Sequence, residues 1–507
     1  MSLATVQSRA LLGVDALEVT VETHLSNGLP AFAIVGLPET AVKESKERVR
    51  SAIINSGLEF PARRITVNLA PADLPKAGGR YDLAIAISIL IASGQIEEKL
   101  LAGVEVLGEL ALDGSLRAVQ GTVPAILAAK SASNRILLPA ANTEEVALVA
   151  YRHSYCAQSL IQLVRDLGQG LVAPQFKRKR RGAAGSAMRQ QNCNEIKGQA
   201  LAKRAVQIAA AGGHNLLMIG PPGSGKTLLA NLLIALLPEL TEQEALEVAA
   251  IQSVSRGGRT ERDWSNRPIR SPHHTATSVA LIGGGNRVSP GEISLAHRGV
   301  LFLDELSEFK PSVLDALREP LESGEISVSR ANYSVKFPAN FQLLAAMNPC
   351  PCGYASDPNH ECRCTEERIA RYSGKLSGPL LDRIDLIIEV PTLSQTELLQ
   401  GRDDASNWEQ LRERIQRCRQ LQIDRAGRLN ADLLLAQIQA CCPMEGEQRR
   451  QLAATMDKLS MSARATHRVI KMARTIADYE GSDEIRDQDL FEAISYRRCQ
   501  FSKLLAR

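Results

Sequence analysis

Gly220-Pro-Pro-Gly-Ser-Gly-Lys-Thr227 is the stretch that decides the fold. It fits the pattern G-x-x-x-x-G-K-[ST], in which glycines let backbone N–H groups turn inward around phosphates at the positive end of a helix. The apolar run Leu216–Ile219 before it predicts a buried strand, and Leu228–Ala235 after it predicts a helix. In this setting Gly220, Pro221, Pro222, Gly223, Ser224 and Gly225 form a loop that cradles the phosphates of a nucleoside triphosphate. Lys226 reaches the β and γ phosphates, and Thr227 ligates Mg²⁺.

Further along the chain come the groups such a loop needs for chemistry. Val300-Leu-Phe-Leu-Asp-Glu305 reads as a buried strand ending in two carboxylates. Asp304 is placed to hold Mg²⁺, and Glu305 to polarise an attacking water. Phe341-Gln-Leu-Leu-Ala-Ala-Met-Asn348 reads as another core strand, with Asn348 able to hydrogen-bond the γ-phosphate or the water. Gly378-Pro-Leu-Leu-Asp-Arg-Ile-Asp385 carries Arg383, which suits insertion into a neighbouring subunit's nucleotide site.

With 507 residues the chain is too long for one hydrophobic core. The start lacks the charged and apolar regions of a secretory signal, and the run from Leu83 to Ala92 is too short to span a bilayer, so a cytoplasmic, membrane-free protein is expected. A net charge of only +4 confines any nucleic-acid site to a local patch. The organisation read from the chain is an α+β domain over 1–170 and a connector over 171–194 with the basic run Lys177–Arg181. An α/β ATPase core follows over 195–392, with a parallel sheet flanked by helices, and then a helical domain over 393–507. Helices are predicted at 39–56, 81–93, 407–423, 446–458, 463–480 and 487–505.

Phosphate loop, Asp-Glu strand, strand-end Asn, Leu-Asp-Arg and helical lid, in that order, resemble a AAA+ ATPase. The phrases Arg270-Ser-Pro-His-His-Thr275, Gly283-Gly-Gly285 and Asn348-Pro-Cys-Pro-Cys-Gly353 narrow the likeness to the magnesium-chelatase-like branch and to the bacterial ComM/YifB family, over nearly the whole chain. The resemblance makes Arg383 the arginine finger and Arg464 the lid sensor arginine, acting from either side of the interface. It makes Ile196 and Gln199 part of the segment that packs the adenine. It implies a homo-hexameric ring working as an ATP-dependent helicase or branch-migration factor on single-stranded or branched DNA, in homologous recombination during natural transformation. Two rivals stay open: a metal-chelatase-type motor subunit, and an ATP-dependent Lon-like protease.

Two insertions offer surfaces for DNA. Arg267–Arg298 carries Arg287 beside a Gly-rich loop and resembles the helix-2 insert of this branch. Its neighbours His273 and His274 lack an evident carboxylate partner, so no metal is assigned to them. Glu325–Phe337 alternates as a hairpin and resembles the one preceding the sensor strand, with Arg330 and Lys336 facing phosphates and Tyr333 stacking on a base or sugar. A plain hairpin with a polar face explains the same pattern.

Cys350-Pro-Cys352 and Cys362-Arg-Cys364 can close a structural tetrahedral Zn²⁺ site, and partly buried reduced thiols are the alternative. Their place between Asn348 and Arg383 suggests a brace for the subunit interface. In the first domain, Pro71–Ala84 and Gly108–Gly114 resemble a Lon-protease-like domain. Arg80 stands about where the serine is required, Thr122 and Val123 where the lysine is, and Ser88 falls in an apolar helix, so the domain is expected to be non-catalytic.

Overall fold

The computed structural model describes residues 2–36, 44–171, 198–255, 263–285, 288–329, 334–357, 360–393, 408–459 and 461–497. The basic connector, apart from Leu171, lies outside the described residues, as do Ile196, Arg287, Arg330 and Tyr333.

The N-terminal domain is built on a seven-stranded mixed sheet. Its strand order is Ala31–Val35, Arg64–Ala70, Asp15–Ser26, Ser2–Leu12, Val104–Val106, Arg135–Pro139 and Ser154–Ala157. Asp15–Ser26 alternates buried and open positions along most of its length, as a sheet with one covered face demands. The cover is the helix Asp82–Ala92, every residue of which is buried. A helix apolar all round can only be interior. Ser88 is part of that interior: its Oγ donates to the Ile85 carbonyl at 2.8 Å and lies 2.6 Å from Thr23 Oγ1.

The core contains a five-stranded, all-parallel sheet in the order Ile269–Arg270, Val300–Leu303, Gln342–Met347, Leu216–Ile219 and Leu386–Glu389. The three inner strands, Val300–Leu303, Gln342–Met347 and Leu216–Ile219, are buried throughout and almost wholly apolar, the signature of strands covered on both faces. One face packs against Ala200–Gly212 and Lys226–Leu236, in an apolar core that continues into the C-terminal helices. The other face packs under the hairpin Glu325–Ser329/Ser334–Pro338. Ile326, Val328, Val335 and Phe337 point inward from that hairpin, and the packing extends to Leu12 and Val14 of the N-terminal domain.

The C-terminal domain consists of Trp408–Ala426, Leu435–Cys441, Gly446–Leu459, Ala463–Tyr479 and Asp487–Ser495. Four of these were predicted. Leu435–Cys441 was not, because its Leu-rich start resembles a loop until Gln437 turns back to accept the Leu434 N–H at 3.0 Å. No described helix is long and apolar enough to cross a membrane.

The first two domains are fastened together. The Gly121 N–H donates to the Ser253 carbonyl at 2.8 Å, and the Val123 N–H to Ser253 Oγ at 3.2 Å. Around this joint, Val123 and Ile126 share one apolar cluster with Ala249 and Ala250.

Candidate nucleotide site

The loop after Leu216–Ile219 takes its shape from two left-handed glycines, Gly223 (φ 76°) and Gly225 (φ 84°). Gly220 is needed for a different reason: a Cβ there would lie 2.2 Å from the Val390 carbonyl. Gly223 faces open space and Thr227 is exposed, so the loop forms an open cradle at the start of Lys226–Leu236. Gln199 braces it from behind, donating to the Ser224 carbonyl at 2.7 Å and the Pro391 carbonyl at 3.1 Å. The helix Ala200–Gly212 begins there.

Lys226 folds back over this loop. Its Nζ donates to the Gly220 carbonyl at 2.7 Å, the Pro221 carbonyl at 2.9 Å and Asn348 Oδ1 at 3.3 Å. Burial lowers its pKa, and the nearby Asp304 opposes that shift. Weak carbonyl partners around a desolvated ammonium leave it ready for a stronger anion. Asn348 meets Lys226 because their strands are neighbours, and Asp304 arrives from one strand beyond.

Glu305 holds an uncommon left-handed conformation (φ 51°, ψ 47°), with its N–H donating to Asp304 Oδ1 at 2.9 Å. Such backbone strain costs about 1–3 kcal/mol and clusters at functional sites. It turns the Glu305 carboxylate outward, where His274 Nδ1 stands 3.2 Å from Oε2. This corrects the expectation of no carboxylate partner for His274, while the Nδ1 of His273 lies 2.9 Å from Thr275 Oγ1. The carboxylate partner lies 31 positions away in sequence, joined by the parallel pairing of Ile269–Arg270 with Val300–Leu303.

Arg383 and Arg464 meet elsewhere. Both contact Glu322, Arg464 at 3.0 Å from Oε1, while Arg383 Nη1 also donates to the Pro379 carbonyl at 2.8 Å. They border a cavity of about 720 Å³ reached by Asn215 and Gln342, at the N-terminal ends of the strands. The phosphate loop follows a C-terminal strand end, so these arginines face the other way. Neither touches the phosphate loop of its own chain among the described hydrogen bonds and ion pairs. Glu322 escaped the sequence reading because nothing local marks it.

The four cysteines converge: their Sγ atoms lie within 4.8 Å of one another, with Cys350 buried and Cys352, Cys362 and Cys364 half-buried. The Cys352 thiol is held down at about 6, first by the Tyr354 N–H, which favours the thiolate that metals bind. A four-sulfur set of this compactness fits a closed structural metal site compatible with zinc. Gly353 (φ 90°) lies against the phosphate loop, where a Cβ would come 2.6 Å from Pro222 Cδ.

Lys336, expected to face phosphates, is exposed and pairs with Glu325 across the hairpin at 3.2 Å. Gly13, in a turn of the N-terminal domain, abuts Val335, 2.5 Å from where a Cβ would sit. The hairpin is thus seated on that domain.

Taken together, the parallel sheet, the phosphate loop beside a strand-end Asn, the paired acids one strand further and the helical lid define a AAA+ nucleotide-binding core. Three segments match family models described as magnesium chelatase subunit ChlI (residues 192–398), subunit ChlI of Mg-chelatase (21–142) and the ChlI C-terminal domain (405–497). The chain is 49% identical over 499 residues to competence protein ComM of Haemophilus influenzae, covering 98% of each. It is 48% identical over 502 residues to YifB of Escherichia coli, covering 98% of this chain and 97% of that one. The magnesium-chelatase 38 kDa subunit of Rhodobacter capsulatus is 29% identical over 217 residues, 38% of this chain and 54% of that protein. The chain belongs to the ComM/YifB family of magnesium-chelatase-like AAA+ proteins.

Proposed function

We propose that this chain is an ATP-driven motor that assembles as a homo-hexameric ring and moves single-stranded or branched DNA, serving homologous recombination in natural transformation. One observation carries the ring: Arg383 and Arg464 open away from the phosphate loop of their own chain, so a complete nucleotide site needs a second copy. Lys226 and Asn348 hold the phosphates, and Glu305, steadied by His274, orients the attacking water. Arg383 and Arg464 of the adjacent copy then meet the charge developing on the transferred phosphoryl group.

Thr227 and Asp304 would hold Mg²⁺, which supplies charge neutralisation on the phosphates. Ile196 and Gln199 flank the adenine. Zn²⁺ would occupy the four-cysteine cluster as a structural ion. DNA as the substrate is supported by the near-full-length likeness to a competence protein and by the two insertions. Arg287, Arg330, Tyr333 and Lys336 are the residues proposed to meet DNA.

Migration of a fluorescent three-way DNA junction by the purified protein, with Glu305→Gln as control, tests this reading. ATP-dependent movement by the unmodified chain alone supports it. ATP hydrolysis that neither moves a junction nor responds to DNA would sink it.

A further inference from the structure

The cavity between the N-terminal domain and the ATPase core has about 1070 Å³ of space and is distinct from the nucleotide cradle. One wall is the turn Pro75–Tyr81 with Ala118–Gln120; the other combines Gln252 and Ser255 with Gly284, Val288 and Ser289 of the helix-2 insert. Its surface is divided about evenly between polar and apolar groups, with Leu11, Val119, Val254 and Leu295 on the apolar side. A large concave space that combines apolar walls with a few placed polar groups is suited to a small molecule.

Arg80 lines this cavity and is only 7% exposed. Its Nε and Nη2 are buried and have no hydrogen-bond partner among the described residues. The other charged side chains in the lining are engaged. Arg270 makes two bonds to Glu292, at 2.5 and 2.7 Å. Glu109 leans on Gly79, whose Cβ would sit 2.6 Å from its Oε2, and faces Arg117 at 3.9 Å. Arg80 is therefore the unmatched charge. Buried guanidinium groups are ordinarily paired, because removing the charge from water without a counter-charge is strongly unfavourable. Here burial lowers the Arg80 pKa, as expected of a cation lacking an anion.

We infer that this cavity is a second ligand site, separate from the phosphate loop, in which Arg80 receives a phosphate group. A guanidinium offers the forked donor pair that matches phosphate oxygens, and the volume takes a molecule of mononucleotide size. The phosphate comes from a small organic phosphate or from a nucleic-acid backbone, two sources of one chemistry. Because both domains wall the cavity, its occupant bridges the N-terminal domain and the insert.

The test uses the full chain carrying Lys226→Ala, which silences the phosphate loop, so the outcome does not depend on the motor reading. Titration calorimetry with inorganic phosphate, AMP and a short oligothymidine is compared with and without Arg80→Met. AMP binding once per chain, weakened at least tenfold by Arg80→Met, supports the site with a small-molecule source. Binding of the oligothymidine alone, with the same dependence on Arg80, assigns the phosphate to nucleic acid. Inorganic phosphate alone, with that dependence, marks a bare phosphate pocket. No Arg80-dependent binding of any of the three overturns the proposal. Val288→Trp fills the cavity from the opposite wall and should abolish the same binding, so the test survives an Arg80→Met chain that folds poorly. In the ligand-free chain Arg80→Met should leave the melting temperature unchanged or raised. A clear fall would reveal an internal partner and refute the inference.

Discussion

Gly353 and Pro222 are in van der Waals contact, so close that a single methyl group on Gly353 would come within 2.6 Å of the proline ring. The cysteine cluster and the phosphate loop thereby share a wall, and the metal-site loop sets how far Pro222 can move.

Gly353→Ala should therefore weaken ATP binding. The left-handed φ of 90° and the clash act together, and the loop must shift. We expect the dissociation constant for ATP to rise about tenfold, roughly 1.4 kcal/mol, with a smaller effect on turnover. Loading the cysteine cluster with zinc and then removing the metal with a chelator should act in the same direction, measured by fluorescent-nucleotide titration. Unchanged affinity after metal removal would uncouple the two loops.

Glu305→Gln should retain ATP and lose turnover by about 10²–10⁴, the usual range for a general-base contribution. His274→Ala should lower kcat by a smaller factor, on the order of tenfold, with little change in KM, since His274 only orients Glu305. Steady-state hydrolysis at saturating ATP distinguishes them. A His274→Ala enzyme with full kcat would reduce that contact to packing.

Arg383→Ala and Lys226→Ala should each abolish hydrolysis, Arg383→Ala by ~10³ or more. Mixed together before assembly, the two inactive chains should regain part of the activity, because some interfaces then join an intact phosphate loop to an intact arginine. No recovery on mixing, with rings formed, would place the whole site within one chain. Glu322→Gln frees both arginines. Since Arg464 is exposed but Arg383 is buried and loses its carboxylate, the stability cost should exceed that of an exposed pair, on the order of 1–3 kcal/mol.

Acid should loosen the joint around Glu247. Its pKa is held at about 2, first by His297 and then by Arg298, and burial lowers the His297 pKa. His297 Nδ1 accepts the Asn340 N–H at 3.1 Å, which assigns the proton to Nε2, facing Glu247. Both folded pKa values lie below their unfolded values, so both groups contribute stability at neutral pH. That contribution is lost as pH falls, from about 6.5 for His297 and from about 4.3 toward 2 for Glu247. The urea midpoint of Glu247→Gln should trail that of the unmodified chain at pH 7, and the gap should narrow below about pH 4. A gap independent of pH would mean that the carboxylate's charge is not its source.

The sequence alone determined the longer helices, the inner core strands and the chemistry that depends on adjacent residues. Gly220–Thr227 specifies its own loop because the backbone conformation resides in its glycines. Val300–Glu305 and Phe341–Asn348 announce buried strands ending in polar groups because strand burial shows in unbroken apolar runs. Even the four cysteines were legible, since soft ligands at short spacing need little help from the fold. The tertiary structure alone decided the pairings between distant segments. His274 with Glu305, Gly353 with Pro222, and Arg383 and Arg464 with Glu322 each join residues whose sequence neighbourhoods carry no trace of one another. Side-chain period and turn chemistry are local properties. Which strand lies beside which, and so which carboxylate meets which cation, follows from burying the sheet on both faces at once, a condition set by the whole chain.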